Sequence, residues 1–366
     1  MHDAQTDLGS ALQGSQGKDI AVDALRPWIA RVFAAAGCPA GEAGQIASGL
    51  VQANLFGHDS HGVGLVPTYV SNLRQGLARA GMSVRIVSDH GAIVGLDGQR
   101  GFGQAIGEEA MAIAIERAQT TGLCLMGLAN SHHLARIGQW AEQGAAAGLA
   151  SIHFVNVLAQ PLVAPWGGID ARLATNPFCV GVPHAPHPLV LDFATSTVAF
   201  GKVHVAHEAG RSMADGLLLD AQGRPTNDPS VMFADPMGAL LPFGQHKGFA
   251  LAVMCELLGG ALSGGKVQDH HPDPSPMINN MLSIVFVPDR LCSRDALADE
   301  VARLAGWLRA SRPAPDAAGI LLPGEPERAT AALRARDGIP LPRRTREALA
   351  ACGRALGVAA DDTGLV

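Results

Sequence analysis

Gly98-Gln99-Arg100-Gly101-Phe102-Gly103-Gln104-Ala105-Ile106-Gly107 is the stretch on which the fold assignment turns. It follows an apolar strand predicted over residues 92–96 and opens a long helix predicted over residues 104–120. A doubly wound α/β protein carries its dinucleotide-phosphate turn at such a place. Two features argue against that reading. The glycines fall as G-x-G-x-x-x-G, and no strand ending in an acidic residue follows about twenty positions on to hold a ribose. The next predicted strand, 122–128, runs instead into Ala129-Asn130. Ordinary turn chemistry accounts for the glycines better.

Working outward, residues 23–36 and 41–55 read as amphipathic helices. In the second, Ala43, Ile46, Ala47, Leu50, Val51 and Leu55 recur at helical spacing. A third helix is predicted over 64–77, with Pro67 tolerated in its first turn. Residues 84–87 and 92–96 read as strands around Asp89-His90-Gly91. Beyond the glycine turn, the pattern predicts strands over 122–128, 150–157, 178–182, 188–193 and 281–287. It also predicts a helix over 136–147, a surface hairpin or loop at 220–225, and a buried helix over 246–262 that is apolar nearly all round. Two or three further helices surround residues 321–327. Strands alternate with helices in the middle, whereas both ends are helical. The expectation is an α/β cofactor domain over 83–289, helical pieces 20–82 and 290–366 that pack together, and a flexible tail over 1–19.

Composition narrows the function. A chain of 366 residues with 48% hydrophobic content can bury a sizeable core. A formal net charge of −6 and a pI near 6.1 leave no basic footprint for nucleic acid or an anionic membrane. The six cysteines are scattered and form no C-x-x-C pair, so buried free thiols in a reducing compartment are expected. The first twenty residues lack the basic and apolar regions of a signal peptide. Apolar runs stop well short of the roughly 18 residues of a membrane span. A cytoplasmic protein is expected.

Two polar clusters stand out. In His58-Asp59-Ser60-His61, a helix starting nearby would put His61, Leu65 and Tyr69, the only tyrosine, on one face. A histidine there suits proton transfer near neutral pH; helix capping by Asp59 or Ser60 with a surface histidine is the plainer alternative. Asn130-Ser131-His132-His133 falls where a strand ends and a helix is expected, with Arg136 one turn beyond His133. An acid/base and a carboxylate clamp at that spacing would suit a small anionic substrate, against simple capping by Asn130 or Ser131. Asp192-Phe193-Ala194-Thr195-Ser196 closes a strand and would start a helix whose free N–H groups can hold a phosphate. His246 and Lys247, between glycines, fit anion contact better than core packing. A metal-dependent hydrolase using His58, Asp59, His61, His132 and His133 lacks an H-E-x-x-H pair, and no metal is expected. A non-catalytic binding protein would leave both histidine clusters unexplained.

Together the motifs resemble the malate/L-lactate dehydrogenase family of the non-Rossmann type, which includes ureidoglycolate dehydrogenase, 2,3-diketogulonate reductase and piperideine-carboxylate reductase. The likeness spans about residues 20–350. It rests on Asp59-Ser60-His61-Gly62 with Tyr69, on Asn130-Ser131-His132-His133, on Ala174-Thr175-Asn176-Pro177, on 191–196, on His246-Lys247-Gly248 and on Pro323-Gly324-Glu325. It implies an NAD(P)-binding α/β domain with a mixed, largely antiparallel sheet, packed on a helical domain formed by both chain ends. It also implies a homodimer and hydride transfer between NADH or NADPH and a 2-oxo acid, or alternatively a cyclic imine acid. His61 and His133 match the family's catalytic positions, and Ser60, Tyr69 and Arg136 are expected at the substrate. Asn156, Thr175, Asp192, Phe193, Ala194, Thr195, Ser196, His246, Lys247, Pro323, Gly324 and Glu325 are expected at the cofactor. Many family members carry an arginine where this chain has Leu65. That departure, the Arg136 position and Gly244-Gln245-His246-Lys247-Gly248 resemble the hydroxycarboxylate dehydrogenase B branch, which reduces bulkier 2-oxo acids.

Overall fold

The computed structural model describes residues 18–269, 277–315, 317, 319–360 and 362–365. One core is helical and drawn from both ends of the chain. In α1 (Val22–Ala35), Leu25, Trp28, Ile29, Val32 and Phe33 recur three or four apart, so one stripe is apolar and fully buried. That stripe packs against Ile46, Leu50 and Val51 of α2 (Ala40–Leu55) and Tyr69 of α3 (Val66–Arg74). Each such large side chain contributes roughly 1.5–3 kcal/mol by leaving water. Leu349 and Ala350, far along the sequence, complete the same cluster. Strand β1 (Lys18–Ile20) ties the two ends together by pairing antiparallel with Ile339–Leu341, and the Trp28 indole donates to the Ala359 carbonyl at 2.8 Å.

The second core lies on a seven-stranded sheet built from β2 (Arg85–His90), β3 (Ile93–Asp97), β4 (Leu123–His132), β5 (Ala150–Leu158), β6 (Phe178–Val182), β7 (Leu189–Phe193) and the later strand Ile278–Phe286. The late strand lies between β4 and β5 and is antiparallel to both. Only the β3–β4 pair is parallel. A parallel pair needs a crossover, and α4 (Gly103–Thr121) supplies it, burying Ile106, Ala110, Met111 and Ala114 on the sheet. Helix α5 (Gly138–Ala146) covers the same face through Trp140 and Ala141. The sheet is thus mixed and largely antiparallel, as expected. A small third cluster around Val163, Val203 and Leu218 supports the loops beside β7, and residues 220–224 close a hairpin there.

The chain departs from its sequence pattern in several places. Residues 1–17 of the expected tail lie outside the described residues, but Lys18–Ile20 is a paired strand rather than tail. Strand β4 does not stop at 128. It continues through Asn130, Ser131 and His132, because the neighbouring late strand and the glycine turn go on offering backbone partners. The helix after it starts at Gly138, not 136. Residues 192–196 do not open a helix; the next one, α6, is Phe200–Glu208. The expected buried helix is α7 (His246–Met254) followed by a π-helical turn at Cys255–Leu262, and it shows apolar residues to solvent, with Leu262 65% exposed.

Candidate active site

Asp59, Ser60 and His61 form one 3-10 turn directly after α2. The turn is held from behind. Asn54, the next-to-last residue of α2, donates to Asp59 Oδ1 at 2.6 Å and accepts from the Val63 amide at 2.7 Å. Arg334 grips both Asp59 carboxylate oxygens, at 2.6 and 3.0 Å. Gly62 is required at its position, because a Cβ there would collide with the Asn54 carboxamide. Asp59 and Asn54 are therefore the frame, and His61 is what the frame presents. Its Nδ1 lies 2.9 Å from the Ser60 hydroxyl.

The second cluster arrives from the sheet. The glycine turn that failed as a phosphate loop cradles it instead: the Arg100 amide donates to the Asn130 carbonyl, and the His132 amide donates to the Gly101 carbonyl. A Cβ at Gly103 would collide with the backbone of His133 and Leu134. Asn130 adopts φ 57° at a bulge in the ladder, after which Ser131 and His132 pair on with Asn279 and Ile278. The Leu134 amide then donates to Asn279 Oδ1 of the central strand at 2.7 Å. The result sets the His133 ring on the His61 ring, centroids 5.3 Å apart and planes 25° apart. Both rings are half-buried. His132 points the other way into the core, 3.0 Å from Asn72 Nδ2.

Burial sets the charge of this pair. It pulls the His61 pKa to about 4, helped by the nearby His58 and opposed by the Asp192 carboxylate. Burial takes His133 well below 6.5, with His61 and His132 adding to the effect. Asp192, at the end of β7, accepts the Gly138 amide at 2.7 Å. Its own pKa is raised by burial, against the Gly138 N–H and the Arg136 charge.

Three expectations for site residues fail on burial. Arg136 is only 4% exposed. It is paired with Glu142 at 2.5 Å and stacks on the Phe56 ring at 4.3 Å. It lines a small cavity with His58, Glu142, Asp192, Gly324 and Glu327, so its charge acts on Asp192 and the histidines from behind rather than on a substrate carboxylate. Tyr69 is 0% exposed and does not meet a substrate. Asn156 is fully buried, with its side chain taken up by Glu256, the Lys266 carbonyl and Asn280; it braces the sheet and is closed to a cofactor.

The remaining segments expected at the cofactor converge on the end of β7. The Thr195 amide donates to the Thr175 carbonyl at 2.8 Å, and the Phe243 amide donates to the Thr195 carbonyl at 3.0 Å. Phe193 meets Phe243 edge to face at 5.2 Å. The Val190 amide reaches the Pro323 carbonyl at 3.4 Å. The Thr195 and Ser196 hydroxyls are spent on the Thr175 and Val198 carbonyls, so that loop offers main chain and the Ala194 edge. Glu325 accepts the Leu322 amide at 2.7 Å and pairs with Arg309, so it shapes the Pro323-Gly324 turn. His246 and Lys247 are exposed at the start of α7, after Gln245 at φ 61°. Lys247 has no ion-pair partner among the described residues. Among the same residues, no three His, Cys, Asp or Glu side chains are placed to hold a metal ion, and no helix is long and apolar enough to cross a membrane.

Sequence reasoning missed Asn54, Gln104, Lys202 and Arg334. Lys202 lies in the first turn of α6, beside the His58–His61 turn. The preceding Gly201 lies so close to Ser60 that a Cβ would come within 2.5 Å of the Ser60 Cβ. The Lys202 charge is felt at His58, and desolvation lowers its own pKa. A lysine flanked by Gly201 and next to a predicted phosphate segment was the available signal; Arg334 lies 275 positions from Asp59 and offered none.

In sequence and fold the chain is similar to several known proteins. The family model described as malate/L-lactate dehydrogenase matches residues 20–350. Hydroxycarboxylate dehydrogenase B of Escherichia coli (strain K12) is 46% identical over 338 residues, 91% of this chain and 93% of that protein. L-lactate dehydrogenase of Cupriavidus necator is 39% identical over 317 residues, 86% of this chain and 91% of that protein. The solved structure of sulfolactate dehydrogenase from Methanocaldococcus jannaschii superposes with a TM-score of 0.85 at 28% identity, covering 94% of this chain and 99% of that one.

Proposed function

The chain belongs to the malate/L-lactate dehydrogenase family and is an oxidoreductase interconverting 2-oxo and 2-hydroxy acids, and we propose that its proton chemistry is carried by the stacked pair His61 and His133. The observation that carries the reading is that pair: two half-buried imidazoles, delivered by two separate frames, each with Nδ1 engaged by a different hydroxyl.

The residues around β7 fit a nicotinamide dinucleotide. Lys247, exposed at a helix start and without an acidic partner among the described residues, suits a phosphate. Residues 192–196 and the Pro323-Gly324 turn would hold the rest. A nicotinamide dinucleotide bound there would supply the hydride as NADH or NADPH and accept it in its oxidised form. The protein handles the proton. Neutral His61 takes it from the hydroxyl of a 2-hydroxy acid, and Asp192 favours the charged imidazole that results. In reduction the same proton returns to the C2 oxygen. His133 holds that oxygen in place. Lys202 pairs with the substrate carboxylate, the role Arg136 is too buried to fill. Leu65 packs against the helical core where many relatives have arginine, which leaves an apolar wall suited to bulkier 2-oxo acids.

The exposed apolar residues Met254, at the end of α7, and Leu257 and Leu262 of the π-helical segment suit a homodimer contact. The function is tested by following NADH and NADPH oxidation with short, dicarboxylic and aryl-substituted 2-oxo acids and a cyclic imine acid. Turnover with 2-oxo acids is expected. Turnover with the imine acid alone would move the substrate class, and no turnover with any would overturn the reading.

A further inference from the structure

Tyr69 has no route to substrate, yet it is one of the most closely held side chains in the molecule. Its ring is boxed by Phe33, Phe102 and His132, with centroids 6.4, 5.9 and 4.9 Å away. Its hydroxyl has two partners. His133 Nδ1 lies at 2.6 Å, and Gln104 Nε2 lies at 3.4 Å. Gln104 is itself buried in α4, and its stem packs on Gly49 of α2, where a Cβ would come within 2.6 Å of Gln104 Cγ. The stem is therefore held, and the carboxamide sets its Nε2 toward the phenol oxygen, with Oε1 buried and without a hydrogen-bond partner among the described residues.

We propose that Tyr69, set by Gln104, is a positioning residue that locks His133 as its Nε2–H tautomer. With the amide N–H on the phenol oxygen, the phenol proton is directed to the one remaining neighbour, His133 Nδ1. A nitrogen that accepts a proton-donating bond carries no proton of its own, so the imidazole proton of neutral His133 resides on Nε2. His133 then presents a fixed donor to the substrate C2 oxygen. His61 differs in its partner. The Ser60 hydroxyl can donate to or accept from His61 Nδ1, so it does not fix the state of the ring, and His61 is able to gain and lose a proton during turnover. One histidine of the stack is fixed as a donor, and the other is left able to change its protonation. This assignment rests on the role given above to the stacked pair.

The test reads the tautomer directly. Long-range ¹⁵N–¹H correlation on the full chain labelled at histidine nitrogens, at neutral pH, is expected to show His133 as Nε2–H. Tyr69→Phe, which keeps the ring and its packing, is expected to mix the two tautomers and lower kcat on the order of tenfold, with KM little changed. An Nδ1–H signal for His133 in the unsubstituted protein would overturn the proposal, as would Tyr69→Phe retaining both the Nε2–H signal and full kcat. The wild-type spectrum needs neither substrate nor a variant. Absence of turnover with 2-oxo acids would therefore count against the functional reading, while the tautomer result stands separately.

Discussion

The His61 and His133 rings stack at 5.3 Å and 25°, although one comes from the helical end of the chain and the other from the central sheet. The site is thus made by the packing of the two cores on each other. If both imidazoles act on the reacting oxygen, His61→Ala and His133→Ala each lower kcat by about 10²–10⁴-fold. Steady-state rates of the two variants check this. Full turnover in either one clears that residue of its role.

The charge state of His61 gives a pH signature. Burial, then His58, holds its pKa at about 4 in the free protein, while Asp192 opposes them. Oxidation of a 2-hydroxy acid needs the neutral base. Its kcat/KM therefore stays flat as pH falls through 6.5, where an ordinary histidine would already be losing activity. Reduction needs the protonated form, so its kcat/KM rises as pH falls through the same window. Asp192→Asn removes the charge that supports protonation and weakens reduction more than oxidation. An oxidation profile with an acid limb at or above 6.5 would contradict this.

Lys202 and Arg136 separate in kinetics. Lys202→Gln removes a cation from the carboxylate and raises KM for 2-oxo acids roughly tenfold or more, with kcat nearly kept. Arg136→Met instead leaves Glu142 without its partner and a space over Phe56. It lowers stability by roughly 3 kcal/mol, seen as a lower Tm, while KM changes little. A rise in KM in Arg136→Met at unchanged Tm would return the carboxylate to Arg136.

Two fully buried histidines govern acid stability. His132 is held at about 4 and His153 at about 3, both by burial. His153 lies between the Ser283 and Ser151 hydroxyls, 2.8 and 2.9 Å away. Their folded pKa values lie below the unfolded value of 6.5, so the unfolded chain takes up the proton first. The stability they contribute is complete above 6.5 and is lost as pH falls towards the folded values. For His132 the span from 6.5 to about 4 corresponds to roughly 3 kcal/mol. Thermal melts should show a Tm that is level above neutral pH and falls steadily below it. His153→Asn should flatten that fall; an unchanged slope would remove His153 from the account.

Periodicity was legible where one stripe or one face is buried. Leu25 to Phe33 in α1 and Ala43 to Val51 in α2 identify themselves, because a single neighbour buries them. The extent of β4 was not legible. Asn130, Ser131 and His132 look like a loop by composition, and they remain in the sheet only because Gly101 and the Ile278–Phe286 strand supply partners from elsewhere. The same holds for the site. His61 and His133 could be named from their clusters, but the burial that disqualifies Tyr69, Arg136 and Asn156 is a property of packing. So is the bidentate grip of Arg334 on Asp59, which joins residues with no relation in spacing.

Gly103 tests whether the glycine turn serves the histidine rather than a phosphate. Its α position meets the carbonyl of His133 so closely that a methyl group has no room, and the obstruction is backbone on both sides. The segment cannot yield cheaply, because the Leu134 amide is bonded to Asn279 and His133 Nδ1 to Tyr69. Gly103→Ala therefore shifts the His133 ring off His61. A misplacement of about an ångström at a reacting group costs on the order of 10²-fold in rate, so kcat should fall by about that factor. Cofactor affinity, set at β7 and α7 on other segments, should change little. Fluorescence titration with NADH or NADPH beside steady-state kinetics would read both. If Gly103→Ala lost cofactor binding and kept kcat at saturating cofactor, the turn would be a phosphate cradle after all, and the placing of His133 would have to rest on Asn130 and Asn279 alone.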